Sequence, residues 1–240
     1  MEAPTGRHLA KLSKRKNFAG ELLGGMAKIS SHLANHSGVS HSTQYIIGAA
    51  GETDRDIILS ANKLYKSYQL KRAYFSAFQP VENTPLAGIP AAPLLRENRL
   101  YQTDFLLRTY GFTVNDLVFE SEGNLDLNID PKLAFALHNA RLFPLEINKA
   151  SYQDLLKVPG IGPKTAQKII HIRRHHAFKD FFELKNIGIV LKRALSFVTL
   201  NGKFFGNRAL LTKPSRPLYQ QLSLWGDNRD IMLTNTFFNN

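Results

Sequence analysis

The sequence predicts an α/β region with parallel strands over residues 1–120 and, after a polar linker at 121–131, an all-α domain over 132–202. Three observations predict it. Short β-rich runs alternate with helix-period segments in the first half. From Asp130 the apolar pattern turns helical and stays so to about residue 200. Within that helical stretch a glycine-bearing turn between two helices occurs twice.

The elements follow in order. Residues 1–5 read as the end of a strand and 17–34 as a helix. TQYII and Gly48, at 43–48, form a β-rich run. Thr53 then stands where a helix needs a cap, with Asp54 and Asp56 in the first turn, where the positive end of the helix dipole favours carboxylates. The helix over 54–68 places Ile57, Ile58, Ala61, Leu64 and Tyr65 on one stripe. AYFSAF at 73–78 is a second strand, and 93–111 a second amphipathic helix offering Leu94, Leu95, Leu100, Phe105, Leu106 and Leu107 to a core. Strand, helix, strand, helix in succession argues for parallel βαβ units. So few strands leave sheet edges unpaired, which marks the region as part of something larger. SEGNLDLNIDP at 121–131 is the linker, and residues 203–240, rich in Asn, Gly, Pro and Ser, read as a mobile tail.

Charge points to a partner. The chain has Lys+Arg 31 against Asp+Glu 19, a net +12. Residues 140–217 hold 15 Lys/Arg and 4 Asp/Glu, so nearly all of the excess sits there. A polyanion is the natural partner for such a segment; a solvated basic surface is the plainer alternative. The chain contains no cysteine. It can therefore form no disulfide, thiolate zinc site or thiolate-held cluster of its own. The start lacks an apolar signal-peptide core, and no apolar run approaches the ~20 residues of a membrane span. A cytoplasmic protein is expected, with no membrane partner.

The richest stretch is LLKVPGIGPKTAQKII at 155–170. Ser151 and Asp154 are spaced as a capping box for a short helix over 151–157. Pro163 suits the first position of the next helix, where an N–H is not needed. Glycines before a helix N-terminus leave backbone amides free to meet an anion, and Lys164 adds charge in the first turn. Ile161, between the glycines, should point inward. The stretch resembles the helix–hairpin–helix motif, whose apolar-Gly-apolar-Gly hairpin binds the DNA backbone. FKDFFELKNIGIVLKRAL at 178–195 repeats the plan, with Val190 where the second glycine belongs. That departure makes the second hairpin a packing partner more than a phosphate binder. Val158, Gly160, Ile161, Gly162, Lys164, Thr165 and Lys168 of the first hairpin, with Gly188, Lys192 and Arg193 of the second, form the expected DNA-binding set. Amides see phosphates, not base edges, so binding with little sequence preference is expected. A turn between packed helices, or a protein-binding hairpin pair, are the alternatives. His171 and His175 have i,i+4 spacing but no carboxylate partner nearby, and no metal site is assigned to them.

Taken together, STQYIIGAAGETDRDI, YFSAFQPVENTP, LLRENRLYQTDFLLRTYGF, DPKLAFALHN and the tandem hairpins resemble, in this order, the DNA modification/repair radical S-adenosylmethionine proteins. The resemblance implies a partial (β/α) barrel followed by helix–hairpin–helix elements. It also implies a [4Fe–4S] cluster and S-adenosylmethionine, the cluster held by a cysteine triad that these residues do not contain. IIGAAGE resembles the strand motif near the cofactor's adenine, which puts Gly48, Ala49 and Glu52 on the pocket wall; a plain strand-to-helix turn is the alternative. Arg96, Glu97, Asn98 and Arg99 face the barrel mouth or DNA on this reading, or else solvent. The chain is then either one half of a split enzyme, working with a separate N-terminal barrel half, or a nonenzymatic DNA-binding remnant or adaptor. Finally, QLSLW at 221–225 resembles the peptide by which bacterial repair proteins bind the sliding clamp, with Gln221, Leu222, Leu224 and Trp225 as contacts. Docking of the same residues on the chain's own core is the alternative.

Overall fold

The structure, a computed structural model, describes residues 1–33, 36 and 38–212. Helix α1 (Gly6–Leu12), capped by Thr5, and α2 (Gly24–Leu33), entered through a π-helical turn at Phe18–Leu23, precede β1 (Ser42–Ile47). Then come α3 (Asp54–Ser67), β2 (Arg72–Ala77) and α4 (Leu94–Thr109). The second half holds α5 (Pro131–His138), β3 (Leu145–Glu146), α6 (Tyr152–Lys157), α7 (Pro163–Ile172), α8 (Phe181–Asn186), α9 (Leu191–Ala194), β4 (Val198–Thr199) and α10 (Ala209–Thr212).

β1 and β2 pair in parallel, from Ser42 opposite Arg72 to Ile47 opposite Ala77. Thr43, Tyr45 and Ile47 alternate inward, as a half-buried strand requires. Thr53 and Asp56 close a capping box on α3, and the expected stripe of that helix is buried: Ile57, Ile58, Ala61 and Leu64. The parallel βαβα order expected for the first half is thus present; a barrel is not established by this sheet of two strands.

Three expectations need correction. First, the sheet edges are not open. On β2 the amides of Ala73, Phe75 and Ala77 donate to the hydroxyls of Tyr65 and Tyr101 and to Glu97 Oε2, at 2.9, 3.0 and 2.7 Å. Along β1, Ile46 donates to the carbonyl of Glu2 at 3.0 Å, although residues 1–5 form no strand. Side chains of α3 and α4 thus do the work of a neighbouring strand along β2. Second, α4 buries Leu100 and Leu106 but leaves Leu94, Leu95 and Phe105 exposed. Its inward face carries Arg99, Thr103 and Asp104 instead, so polar groups replace the expected leucines. Third, the second half is not all-α. Leu145–Glu146 and Val198–Thr199 form a short parallel ladder that joins its two ends.

Two apolar cores form among the described residues. One lies under β1, β2, α3 and the middle of α4; the other gathers the helices after residue 131 and also takes in Leu106 and Phe112. Residues 121–131 are stitched down between them. Arg99, 2% exposed, donates to the carbonyls of Asp126 and Leu127 at 3.2 and 2.7 Å. Asp54 accepts from the amide of Leu125 and from Arg96. Lys157 on α6 reaches back to Asp116 at 2.7 Å, with its ammonium 4.5 Å from the ring centroids of both Phe112 and Phe135.

Candidate nucleic-acid interface

The first hairpin is assembled from local rules. Ser151 accepts from the amide of Asp154, whose carboxylate accepts from Ser151 in return, and this starts α6. Val158 and Ile161, 0% and 1% exposed, peg the loop from inside, and the amide of Ile161 donates to the carbonyl of Val158 at 3.2 Å. Val158 and Ile161 therefore support the loop from inside. Gly162 is the N-cap of α7 and Pro163 its first residue. Neither glycine nor proline brings a side-chain acceptor, so the first turn of α7 goes uncapped. Among the described residues no acceptor meets the amides of Gly162, Lys164 and Thr165. These unpaired donors stand at the positive end of the helix dipole.

The cationic side chains are placed around them. Lys164 and Lys168 are exposed, and His171 continues the same i, i+4, i+7 stripe along α7. Arg174 and His175 are exposed just beyond it, with the rings of His171 and His175 5.4 Å apart. Lys192 on α9 is exposed as well, whereas Arg193 pairs with Asp130, the carboxylate that caps α5.

Gly160 has a packing job beside the one its motif suggests. Its φ is +86°, and a Cβ there would stand 2.6 Å from the carbonyl oxygen of Val190 and 3.1 Å from Cβ of Arg193. Its own carbonyl accepts from the amide of Val190 at 3.0 Å. Gly160 is thus the joint through which the two hairpins touch backbone to backbone. Gly162 has φ −99°, and the nearest atom to a Cβ there is the hydroxyl of Tyr110 at 3.4 Å, so the fold does not demand glycine. The second hairpin spends the Val190 amide on Gly160, in keeping with a packing role. Gly188, φ +100°, is exposed at its tip, and its carbonyl accepts from the Thr165 hydroxyl at 3.3 Å.

Gly48, Ala49 and Glu52 lie far along the chain from this surface, in the turn after β1. Glu52, 4% exposed, accepts from the amides of Gly48 and Ala50. Gly48 has φ +91°, with the Ala92 methyl 2.8 Å from where its Cβ would be. The carbonyls of Ala50 and Glu52 accept from Lys11 and Arg96, each at 2.8 Å. Arg96, Glu97 and Arg99, expected at a barrel mouth, on DNA or in solvent, instead make the internal bonds already described, and Asn98 is exposed. Gln221, Leu222, Leu224 and Trp225 lie outside the described residues.

Four residues around the hairpins escaped the sequence reading: Phe105 and Tyr110 from the end of α4, and Asp130 and Lys132 at the start of α5. The ammonium of Lys132 donates to the carbonyl of Ile161 and sits 4.6 Å above the Tyr110 ring. Burial, with Arg193 nearby and only partly offset by Asp130, pulls its pKa down to about 7. The one available signal was the Asp-Pro-Lys start of α5, which marks a helix N-terminus but not what lies across from it.

A family model described as the helix–hairpin–helix motif matches residues 144–196, which span both hairpins. No curated protein and no solved structure matches the chain. No described helix is long and apolar enough to cross a membrane.

Proposed function

We propose that this chain binds DNA through the phosphate backbone, with little sequence preference, and that the first hairpin makes the principal contact. The observation that carries the reading is the uncapped N-terminus of α7. Its unpaired Gly162, Lys164 and Thr165 amides sit beside exposed Lys164 and Lys168, inside the segment that matches the helix–hairpin–helix model. Amides and ammonium groups match phosphate oxygens in charge and hydrogen bonding and read no base edge. Lys192 adds charge from the second hairpin. The binding unit comprises residues 132–202 together with the Leu106 and Phe112 side chains that complete its core. Two duplexes of unrelated sequence should bind with nearly equal affinity, and Lys164→Glu with Lys168→Glu should weaken both alike. Strong preference for one sequence would oppose the reading.

The parallel β1–α3–β2–α4 unit favours a second, wider reading, in which residues 1–120 are kin to the DNA modification/repair radical S-adenosylmethionine proteins. In that reading the chain works with a separate barrel half that carries the cluster, or serves as an adaptor. This chain has no thiolate for a [4Fe–4S] cluster, so the residues present do not fit that group, and at the turn proposed to face S-adenosylmethionine the Glu52 carboxylate accepts from the Gly48 and Ala50 amides. No chemical step is assigned to them. A peptide of residues 217–228 is proposed to bind a bacterial sliding clamp; loss of binding on Leu224→Ala supports this, and no binding of the unaltered peptide refutes it.

A further inference from the structure

A pocket of about 400 Å³ opens between the two hairpins and the end of α4. That volume is within the range of small-ligand sites, roughly 300–1,000 Å³. Its lining joins three kinds of surface. Gly162 and Thr165 bring the edge of the phosphate site. Phe105 and Tyr110 bring an aromatic wall, their rings 5.8 Å apart in edge contact, with Phe105 48% exposed. Lys132 and Gln102 bring donors.

Phe105 is half exposed and turns its ring to the pocket rather than to the cores that Leu100 and Leu106 of the same helix enter. Lys132 is 7% exposed, and its ammonium has a single backbone acceptor among the described residues. Three donor hydrogens with one carbonyl acceptor and the face of the Tyr110 ring leave one donor for a ligand that accepts. The Gln102 carbonyl is taken by Arg99 at 2.9 Å, so its amide N–H groups remain to donate. A flat, π-faced ligand with acceptors on its rim, joined to a phosphate, satisfies all of these at once. That is a nucleotide with its base out of the duplex stack.

We infer that the pocket receives the base of an unpaired nucleotide in the strand whose phosphate is held by the first hairpin. The base stacks on Phe105, and its edge accepts from Lys132 and Gln102. The inference rests on the DNA-binding reading above and adds to it a preference for DNA that contains an unpaired base. Stacking of one base on an aromatic side chain tightens binding by roughly ten-fold or more. Part of that is offset by drawing the base out, which costs least where it is already unpaired.

Three duplexes of equal length test it at one salt concentration by fluorescence anisotropy: fully paired, carrying one extrahelical nucleotide, and carrying one extrahelical abasic residue. The full-length chain should bind the base-bearing bulge roughly ten-fold more tightly than the other two. Phe105→Ala should remove that preference while leaving affinity for the paired duplex unchanged, and Phe105→Trp should restore it. Equal affinity for all three duplexes, equal affinity for the two bulges, or a preference that survives in Phe105→Ala overturns the pocket and leaves the hairpin reading standing. Failure of the unaltered chain to bind any of the three overturns both.

Discussion

Two glycines separated by one residue have unlike reasons for being glycine. At Gly160 both the positive φ and the Val190 carbonyl exclude a side chain, so Gly160→Ala should lower stability by about 1–3 kcal/mol in urea unfolding. Gly162→Ala, with ordinary φ and only the Tyr110 hydroxyl in reach, should stay within about 1 kcal/mol of the unaltered chain. Equal losses at the two positions would contradict the joint assigned to Gly160. The sequence marked both as hairpin glycines, because a hairpin between two helices is a local pattern. It did not show why, because the atoms that exclude a Cβ at Gly160 belong to residues 190–194. Lys132 and Phe105 were illegible for the same reason: their significance is a meeting of α4, α5 and two hairpins that no spacing along the chain records.

Among the elements, those with local causes were read nearly to the residue: α3 from its Thr53 cap, α6 from Ser151 and Asp154, α7 from Pro163. The β3–β4 ladder was not, since two residues carry no period. Its strength lies in Glu146. Burial disfavours the charged carboxylate, but the amides of Gly202, Asn148 and Asn201 and the Thr199 hydroxyl outweigh burial and hold its pKa below the usual glutamate value. A folded pKa below the unfolded one gives stability that is present above the unfolded value of 4.5 and lost as pH falls through the folded value. Glu146→Gln should therefore unfold more easily at neutral pH, and the difference from the unaltered chain should shrink as the solution is acidified below about pH 4.5. Thermal unfolding against pH reads both. A constant difference across that range would show that the carboxylate charge is not what clasps the ends together.

At the scale of the whole molecule, a change of hydrophobic period marked the passage from α/β to helical structure, and the parallel order of the first half followed from it. The seam did not. The helical core draws Leu106 and Phe112 from before the linker, and Lys157 anchors to Asp116. Residues 132–202, read from the sequence as a domain of their own, lack all three. A fragment of residues 93–212 should therefore unfold cooperatively and at higher denaturant than one of residues 131–202, by a few kcal/mol from the lost Phe112 side chain and its neighbours. Equal midpoints would place the seam at the linker after all. This seam also joins the hairpins to α4, so that the pocket beside them and the N-terminal sheet share one helix.

The central claim is that backbone phosphates are gripped by the uncapped start of α7 and the lysines beside it. Duplex affinity measured by anisotropy against salt concentration tests it most directly, for the unaltered chain and for Lys164→Ala with Lys168→Ala. About four phosphate contacts give a log–log slope of roughly −3 to −4, and removing two lysines should make it shallower by about 2 while weakening binding to unrelated sequences alike. A flat response of the unaltered chain, or a slope that the double substitution leaves unchanged, would contradict it.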